Sequence, residues 1–467
     1  MFRPRLILIF ALLSFLAFLP SAEAGAGELP AWGVEPAPNV GGVLNAISVR
    51  AHDDIWAVGY YNGEVNSRTL TMHFDGSAWT VVPSPNLPDG NRLEDVVALS
   101  PTDVWAVGWT SNPSSLDSHS FSLHWDGTSW TIVDTPQPGG AYGDRLKAVD
   151  AVGPDDVWAS GVYQDAQTHE HSVALHWDGT AWRRFPLGAP SLRSSTPGRP
   201  CDTYGGLTGL TVVSATDIWA VGDATTCHFD GRAWTEVPSP QPRPEYDEIA
   251  YPLEDVSAAA PNDVWAVGAR IIDSPYEIVW DTLAEHWNGA SWSRYTIELP
   301  IGQILLGVDA VAANDVWAVG KDDYGAMIVH YDGSAWTHVP TPEAGHAGAL
   351  GGVDSSAPDD LWAAGYTASG NVIEHAPSST QGAVVGGTNV SFATVSWFGQ
   401  VNGSTETDEY GSYQAAGLPA GTYTFTATEP GCVPDSRSVT VQAGVTLTEN
   451  FHIDCGPGPG RVGAGPH

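Results

Sequence analysis

The chain has 467 residues and carries 54 Asp and Glu against 18 Lys and Arg, a net charge of −36. With Lys147 and Lys321 as its only lysines, it excludes nucleic acid and anionic membrane surfaces as partners, because phosphates require basic patches. It is long enough for more than one packed domain, and no segment beyond residue 24 is apolar enough to span a bilayer.

Residues 1–24 read as a secretory signal: Arg3 and Arg5 form a basic start, Leu6 to Leu19 an apolar core, and Ala22-Glu23-Ala24 a small-x-small cleavage site. Removing them removes two positive charges and one negative, so the mature chain carries −37. It is expected to be released, extracellular and monomeric, without membrane insertion. Export permits disulfides between its four cysteines.

From residue 30 to 376 one motif dominates. Asp-Val-Trp-Ala-Val-Gly or a close variant occurs seven times, with tryptophans at Trp56, Trp105, Trp158, Trp219, Trp265, Trp317 and Trp362. Their spacings of 49, 53, 61, 46, 52 and 45 residues mark a repeat architecture. Residues 93–136 give the unit. Strands are predicted at Leu93–Leu99, Val104–Gly108, Ser120–Trp125 and Trp130–Val133, with Asp126-Gly127 as the last turn. Four short antiparallel strands repeated seven times predict an all-β fold, a seven-bladed β-propeller. The seventh unit lacks a fourth strand. Residues 31–39 align with 78–86, the fourth strand of the first unit, and are predicted to close the ring from the N-terminus.

Each unit places a histidine near the end of its third strand: His73, His124, His176, His228, His286, His330 and His375. Each also opens its second strand with an aspartate: Asp54, Asp103, Asp156, Asp217, Asp263, Asp315 and Asp360. Antiparallel neighbours bring these two positions together, so a His–Asp hydrogen bond is predicted in every blade. Sevenfold repetition points to structure rather than catalysis, since an active site needs one copy. The recurring Trp79, Trp130, Trp182, Trp234, Trp292 and Trp336 are predicted to pack between blades.

The first strand of each unit faces the axis and brings Asp95, Asp150, Asp255, Asp309 and Asp354 there. Five converging carboxylates offer oxygen ligands for calcium; the alternative is a water-filled channel whose acids bond backbone amides. No other cofactor is implied.

Loops between second and third strands, and between units, share one face and vary most: 109–119, 186–206, 239–252 and 269–283. Variable loops on a rigid scaffold are where recognition sits. The candidate ligand-binding residues there are Trp109, Tyr246, Arg270, Tyr276 and Trp280, with Trp109 and Trp280 in or beside the loops. Arg92, Arg145 and Arg243 also fall on this face, and arginines suit a carboxylate sugar. Cys201, in the loop entering the fourth unit, is expected to pair with Cys227 at that unit's third strand. Cys432 then pairs with Cys455.

The repeats, as in Pro261-Asn262-Asp263-Val264-Trp265-Ala266-Val267-Gly268, resemble those of kelch- and sialidase-type β-propellers and of bacterial secreted propellers. The turn Asp332-Gly333-Ser334-Ala335-Trp336 is similar to a sialidase Asp-box with one residue fewer between Asp and Gly. The kelch double glycine is absent. The resemblance implies the fold and leaves the activity open.

Residues 377–380 read as a linker, and 381–455 as a second domain. There, 407–413, 417–423 and Glu429-Pro430-Gly431 resemble the carboxypeptidase regulatory-like module, which implies a small prealbumin-like β-sandwich acting as an appendage. Residues 456–467, rich in Gly and Pro, are expected to be disordered.

The function expected from these features is a secreted, non-catalytic binding protein whose partner is a glycan or an extracellular protein. The competing reading is an extracellular carbohydrate-active enzyme, a hydrolase, lyase or oxidase. Its non-repeated acid cluster would be Glu245, Asp247, Glu248 and Asp273 with Tyr246 and Tyr276. A copper site of the galactose-oxidase kind needs a free cysteine, and the expected pairings leave none.

Overall fold

The computed structural model describes residues 32–455, except 64–65, 113–116, 141, 189–200, 202–204, 224, 241–248, 251, 274–277, 296, 298–301, 324, 343–346, 359, 377–380, 400, 409–410, 420 and 442–445. Residues 1–24, expected to be a secretory signal, Tyr246, Tyr276, Arg243, Glu245, Asp247, Glu248, residues 377–380 and residues 456–467 therefore lie outside the described residues. The fold is all-β: a β-propeller followed by a small β-sandwich.

The repeat segment forms seven consecutive sheets, each a meander whose first strand is innermost. In the first sheet these strands are Gly42–Ala51, Asp54–Asn62, Ser67–Phe74 and Trp79–Val81. In the second they are Gly90–Ser100, Asp103–Ser111, Ser118–Trp125 and Trp130–Val133. The innermost strands neighbour one another around a ring, and the last of them, Gly348–Ala357, packs against the first. The seventh sheet takes its outer strand from the N-terminal segment: Gly33 pairs with His375 and Val34 with Glu374.

Burial on both faces explains the lack of alternation in the second strands. Ile55, Trp56, Ala57 and Val58 are all buried. The apolar clusters run between blades, one of them joining Trp56 and Val58 to Leu93, Val96, Val104 and Trp130 of the next sheet. Each second-strand Trp meets an outer-strand Trp of the following blade edge to face. Trp56–Trp130 centroids are 5.2 Å apart and Trp105–Trp182 5.5 Å.

The motif's glycine has a steric reason. The innermost strand of each blade carries a β-bulge just after a leucine, as between Leu93 and Asp95. The glycine lies opposite: a Cβ on Gly108 would stand 2.1 Å from the Arg92 carbonyl oxygen, and one on Gly59 2.0 Å from that of Val43. No side chain fits there.

Two predicted loops are strands. Asp263–Asp273 and Ile278–Trp287 form one long hairpin, extended by Ile249–Ala250 pairing with Ile271 and Ile272. The β-branched and aromatic residues Ile271, Ile272, Ile278, Val279 and Trp280 continue the ladder past the repeat's usual end. Likewise Trp109 lies on the strand Asp103–Ser111, opposite Ser120, and the loop beyond it spans only 112–117.

The C-terminal unit packs two sheets. One is ordered Ser412–Pro419, Gln381–Gly387, Thr446–Thr448, and the other Gly403–Glu406, Thr394–Phe398, Gly421–Thr428, Asp435–Val441. Val384, Tyr413, Leu418, Tyr423, Phe425 and Phe451 are among the residues that fill its core. Disulfides join Cys201 to Cys227 and Cys432 to Cys455, and no cysteine is free.

Candidate functional site

The repeated His and Asp meet in every blade. The Nε2–Oδ1 distances are 2.7 Å for His73–Asp54, 2.8 Å for His124–Asp103, 2.8 Å for His176–Asp156 and 2.7 Å for His228–Asp217. They are 2.7 Å for His286–Asp263, 2.9 Å for His330–Asp315 and 2.9 Å for His375–Asp360. Strand register puts each histidine opposite the motif Trp, and the rings face each other, as in Trp105–His124 at 4.4 Å. The same arrangement recurs in all seven blades and links the second strand of each to its third.

The five axial aspartates act between blades. Asp95 takes the Val149 N–H at 2.7 Å, Asp150 that of Val212 at 2.6 Å, Asp255 that of Val308 at 2.9 Å and Asp354 that of Val49 at 2.6 Å. The second oxygen of each accepts the next N–H of its own strand. Asp309 accepts from Ser355 Oγ of the following blade at 2.5 Å. Burial pushes Asp95 up to about 8, Asp255 to about 7 and Asp150 and Asp309 to about 6, with Asp354 also raised. Four of the five thus accept from backbone amides, and Asp309 accepts from a hydroxyl. Among the described residues, the His, Asp and Glu ligand atoms gathered closely enough to share a metal ion are elsewhere, at His52, Asp360 and His375.

The bulges interrupt the register of every innermost strand. They turn out one residue per blade: Asn45, Glu94, Lys147, Thr208, Glu254, Leu306 and Gly351. Asn45 Nδ2 reaches the Leu93 carbonyl of the next blade at 2.7 Å. Glu254, from the fifth sheet, feels the charges of Lys147 and Glu94 from the third and second; burial raises its pKa, and Lys147 opposes this.

Trp109 stands beside Glu94 and Lys147, half-buried. Its Nε1–H donates to Glu94 Oε1 at 2.5 Å, and Lys147 Nζ lies 3.5 Å from the same oxygen. The Arg92 guanidinium is 5.1 Å from the Trp109 ring centroid and 4.2 Å from that of Tyr60; the Arg145 guanidinium is 5.0 Å from Trp109. Arg145 Nε also donates to Ser118 Oγ at 3.3 Å. Among the described residues neither arginine makes a salt bridge to a carboxylate. The half-buried indole thus lies under three cationic groups.

Of the other residues singled out in the sequence, Arg270 is engaged within its own hairpin, Nη2 donating to Asp281 Oδ2 at 2.6 Å. Trp280 lies on the strand opposite Ile271, and its side chain, like that of Asp273, is outside the described residues. The structure brings Arg92, Arg145 and Trp109 together, while Arg270 is on the fifth sheet and bonds Asp281 there. Glu94, Lys147 and Glu254 were missed. Their signal is positional: each follows the leucine that opens an innermost strand.

A second gathering occurs once, on the opposite face. His375 is buried; beyond Asp360, its Nδ1 lies 3.1 Å from Glu35 Oε1. His52 Nδ1 from the first blade lies 3.2 Å from both Asp360 oxygens, and Ser356 Oγ and Trp362 Nε1 also donate to Asp360. These contacts hold the Asp360 carboxyl well below its usual range despite burial, and raise His375 and His52.

Residues 378–454 match the carboxypeptidase regulatory-like domain. Among solved structures, the chain is similar to YCF48 bound to D1 peptide (16% identity, 74% of this chain and 97% of that one, TM-score 0.45). YCF48 from Cyanidioschyzon merolae matches with 16% identity, 74% and 98% coverage and a TM-score of 0.46. The GH74 xyloglucanase from Xanthomonas campestris matches with 12% identity, 89% and 68% coverage and a TM-score of 0.46. No curated protein matches the chain.

Proposed function

We propose that the protein is a secreted, non-catalytic binding protein that takes a carboxylate-bearing carbohydrate on the loop-rich face of its propeller. The observation that carries this reading is the gathering of Arg92, Arg145 and Lys147 around Trp109 in a chain with only 18 basic residues. Guanidiniums held against aromatic rings are ordered before a ligand arrives, which lowers the ordering cost of binding. Their planar donor forks match a sugar carboxylate. The two disulfides and the apolar N-terminal segment support secretion, and among the described residues no helix is long and apolar enough to cross a membrane.

A second reading, a carbohydrate-active enzyme, is favoured by one observation: Glu254 is a half-buried carboxyl whose pKa is raised by burial, the direction a general acid needs. A glycan array probed with the mature protein, with hydrolysis assays on the same glycans, tests both. Binding confined to uronic-acid glycans and lost in an Arg92→Ala/Arg145→Ala variant supports the proposal. Binding that survives this variant, or that selects neutral glycans, overturns it. Cleavage abolished by Glu254→Gln would establish the enzyme reading.

A further inference from the structure

The seventh copy of the His–Asp pair differs from the other six, and the differences converge. His52 stands two residues before Asp54, where the other blades have Pro101, Pro154, Ala215, Pro261, Ala313 and Pro358. Glu35 stands three residues after Trp32, where the other outer strands have Val82, Val133, Phe185, Val237, Tyr295 and Val339. Two departures from the repeat, far apart in the chain, thus meet at one pair, Asp360 and His375.

The cluster offers the donors that a cation takes. A neutral imidazole has one N–H, yet both ring nitrogens of His375 face carboxylate oxygens, at 2.9 Å and 3.1 Å. With Glu35 accepting from Nδ1–H, the Nε2 lone pair points at the Asp360 side. A second imidazole nitrogen, His52 Nδ1, is directed at the same carboxylate. The three ligand atoms lie within 4.8 Å of one another. The nearest pairs, at 2.9 and 3.2 Å, approach the edge of about 3.3 Å implied by tetrahedral bonds of about 2.0–2.1 Å to zinc. A carboxylate on the far nitrogen of a ligating histidine is the usual outer support that fixes its tautomer.

We propose that His52, Asp360 and His375 form a binding site for a late first-row divalent metal of the zinc class, with Glu35 orienting His375. Two imidazoles and one carboxylate suit such ions better than calcium, which takes oxygen ligands. The His52 side chain is 49% exposed, so the site faces solvent on that side and keeps a coordination position open. The ligands come from the first and seventh blades and the support from the residue after the first strand, so the ion would clasp the ring where the propeller repeat begins and ends. This site is on the face opposite the Trp109 cluster, and the proposal is independent of the carbohydrate reading.

The test is Zn2+ titration of the metal-stripped full chain by calorimetry, with melting followed in parallel. The expected result is one ion per chain, a melting temperature that rises on saturation, a more than tenfold weaker affinity in His52→Ala and a roughly tenfold weaker one in Glu35→Gln. His52 is exposed enough that its loss leaves the fold intact, and His119→Ala, at an exposed histidine on the other face, should change nothing. An affinity unchanged in His52→Ala, an equal loss in His119→Ala, or no zinc bound by the parent protein at 100-fold excess overturns the proposal.

Discussion

Trp32 and Trp317 meet edge to face with ring centroids 5.8 Å apart, although 285 positions separate them in the chain. The same contact joins Trp362 of the seventh blade to Trp79 of the first, at 6.0 Å. One residue from the N-terminal segment therefore occupies a place that outer-strand tryptophans of the repeat fill elsewhere. Trp32→Ala should destabilise the chain by about 3–5 kcal/mol, the cost of emptying a buried indole site. Denaturant unfolding measures it; a loss below about 1 kcal/mol would show that the segment does not bear on ring closure.

The motif glycines should be as sensitive as the tryptophans. At Gly108 a methyl group would collide with the backbone of the bulged strand, which cannot move without breaking the axial hydrogen bonds of Asp95. Gly108→Ala should cost more than about 3 kcal/mol, in the range of severe overpacking. Gly153→Ala, where an added Cβ has nothing within 4 Å, is the matched control and should be near neutral. Equal melting temperatures for the two variants would refute the steric account.

His124 should behave as a structural residue. It bonds Asp103 at 2.8 Å and lies against the Trp105 ring, and its loss should cost about 1–2 kcal/mol. Ligand binding on the other face should be unchanged. If His124→Ala abolishes binding at unaltered stability, the repeated histidines are functional.

The repeat period, strand order and His–Asp contacts were legible because each rests on a constant residue at a constant offset. Register follows from that: Trp105 opposite His124 sets every other pair in its blade. The bulges were not legible, since the residues they leave out of register, among them Asn45, Lys147 and Leu306, share no chemistry; only the glycine opposite is constant. The long hairpin 263–287 was hidden because its extra ladder has no counterpart in other blades. His52 and Glu35 were visible only as departures from a column, which become informative once the two columns are known to meet.

The axial acids predict an inverted pH dependence. Their folded pKa values, about 8 for Asp95, about 7 for Asp255 and about 6 for Asp150 and Asp309, lie above the value of about 3.9 for an unfolded aspartate. Between those limits the folded chain holds more protons than the unfolded one. Their contribution is full below about pH 4 and is lost as pH rises through about 6 to 8. The aspartates of the Asp-Gly turns oppose this at the acid end. Asp75, Asp126 and Asp332 are lowered to about 2 by hydroxyl and backbone donors, and stabilisation from them is lost as pH falls from about 4 through 2. Thermal stability should therefore peak in mildly acidic solution and decline toward pH 8. Asp95→Asn, which cannot ionise, should flatten the upper limb most, because Asp95 has the highest value of the four. Melting curves from pH 4 to 9 for the parent and this variant decide it: a stability that rises from pH 5 to 8, or a decline that persists unchanged in Asp95→Asn, would mean that the axial carboxylates stay ionised.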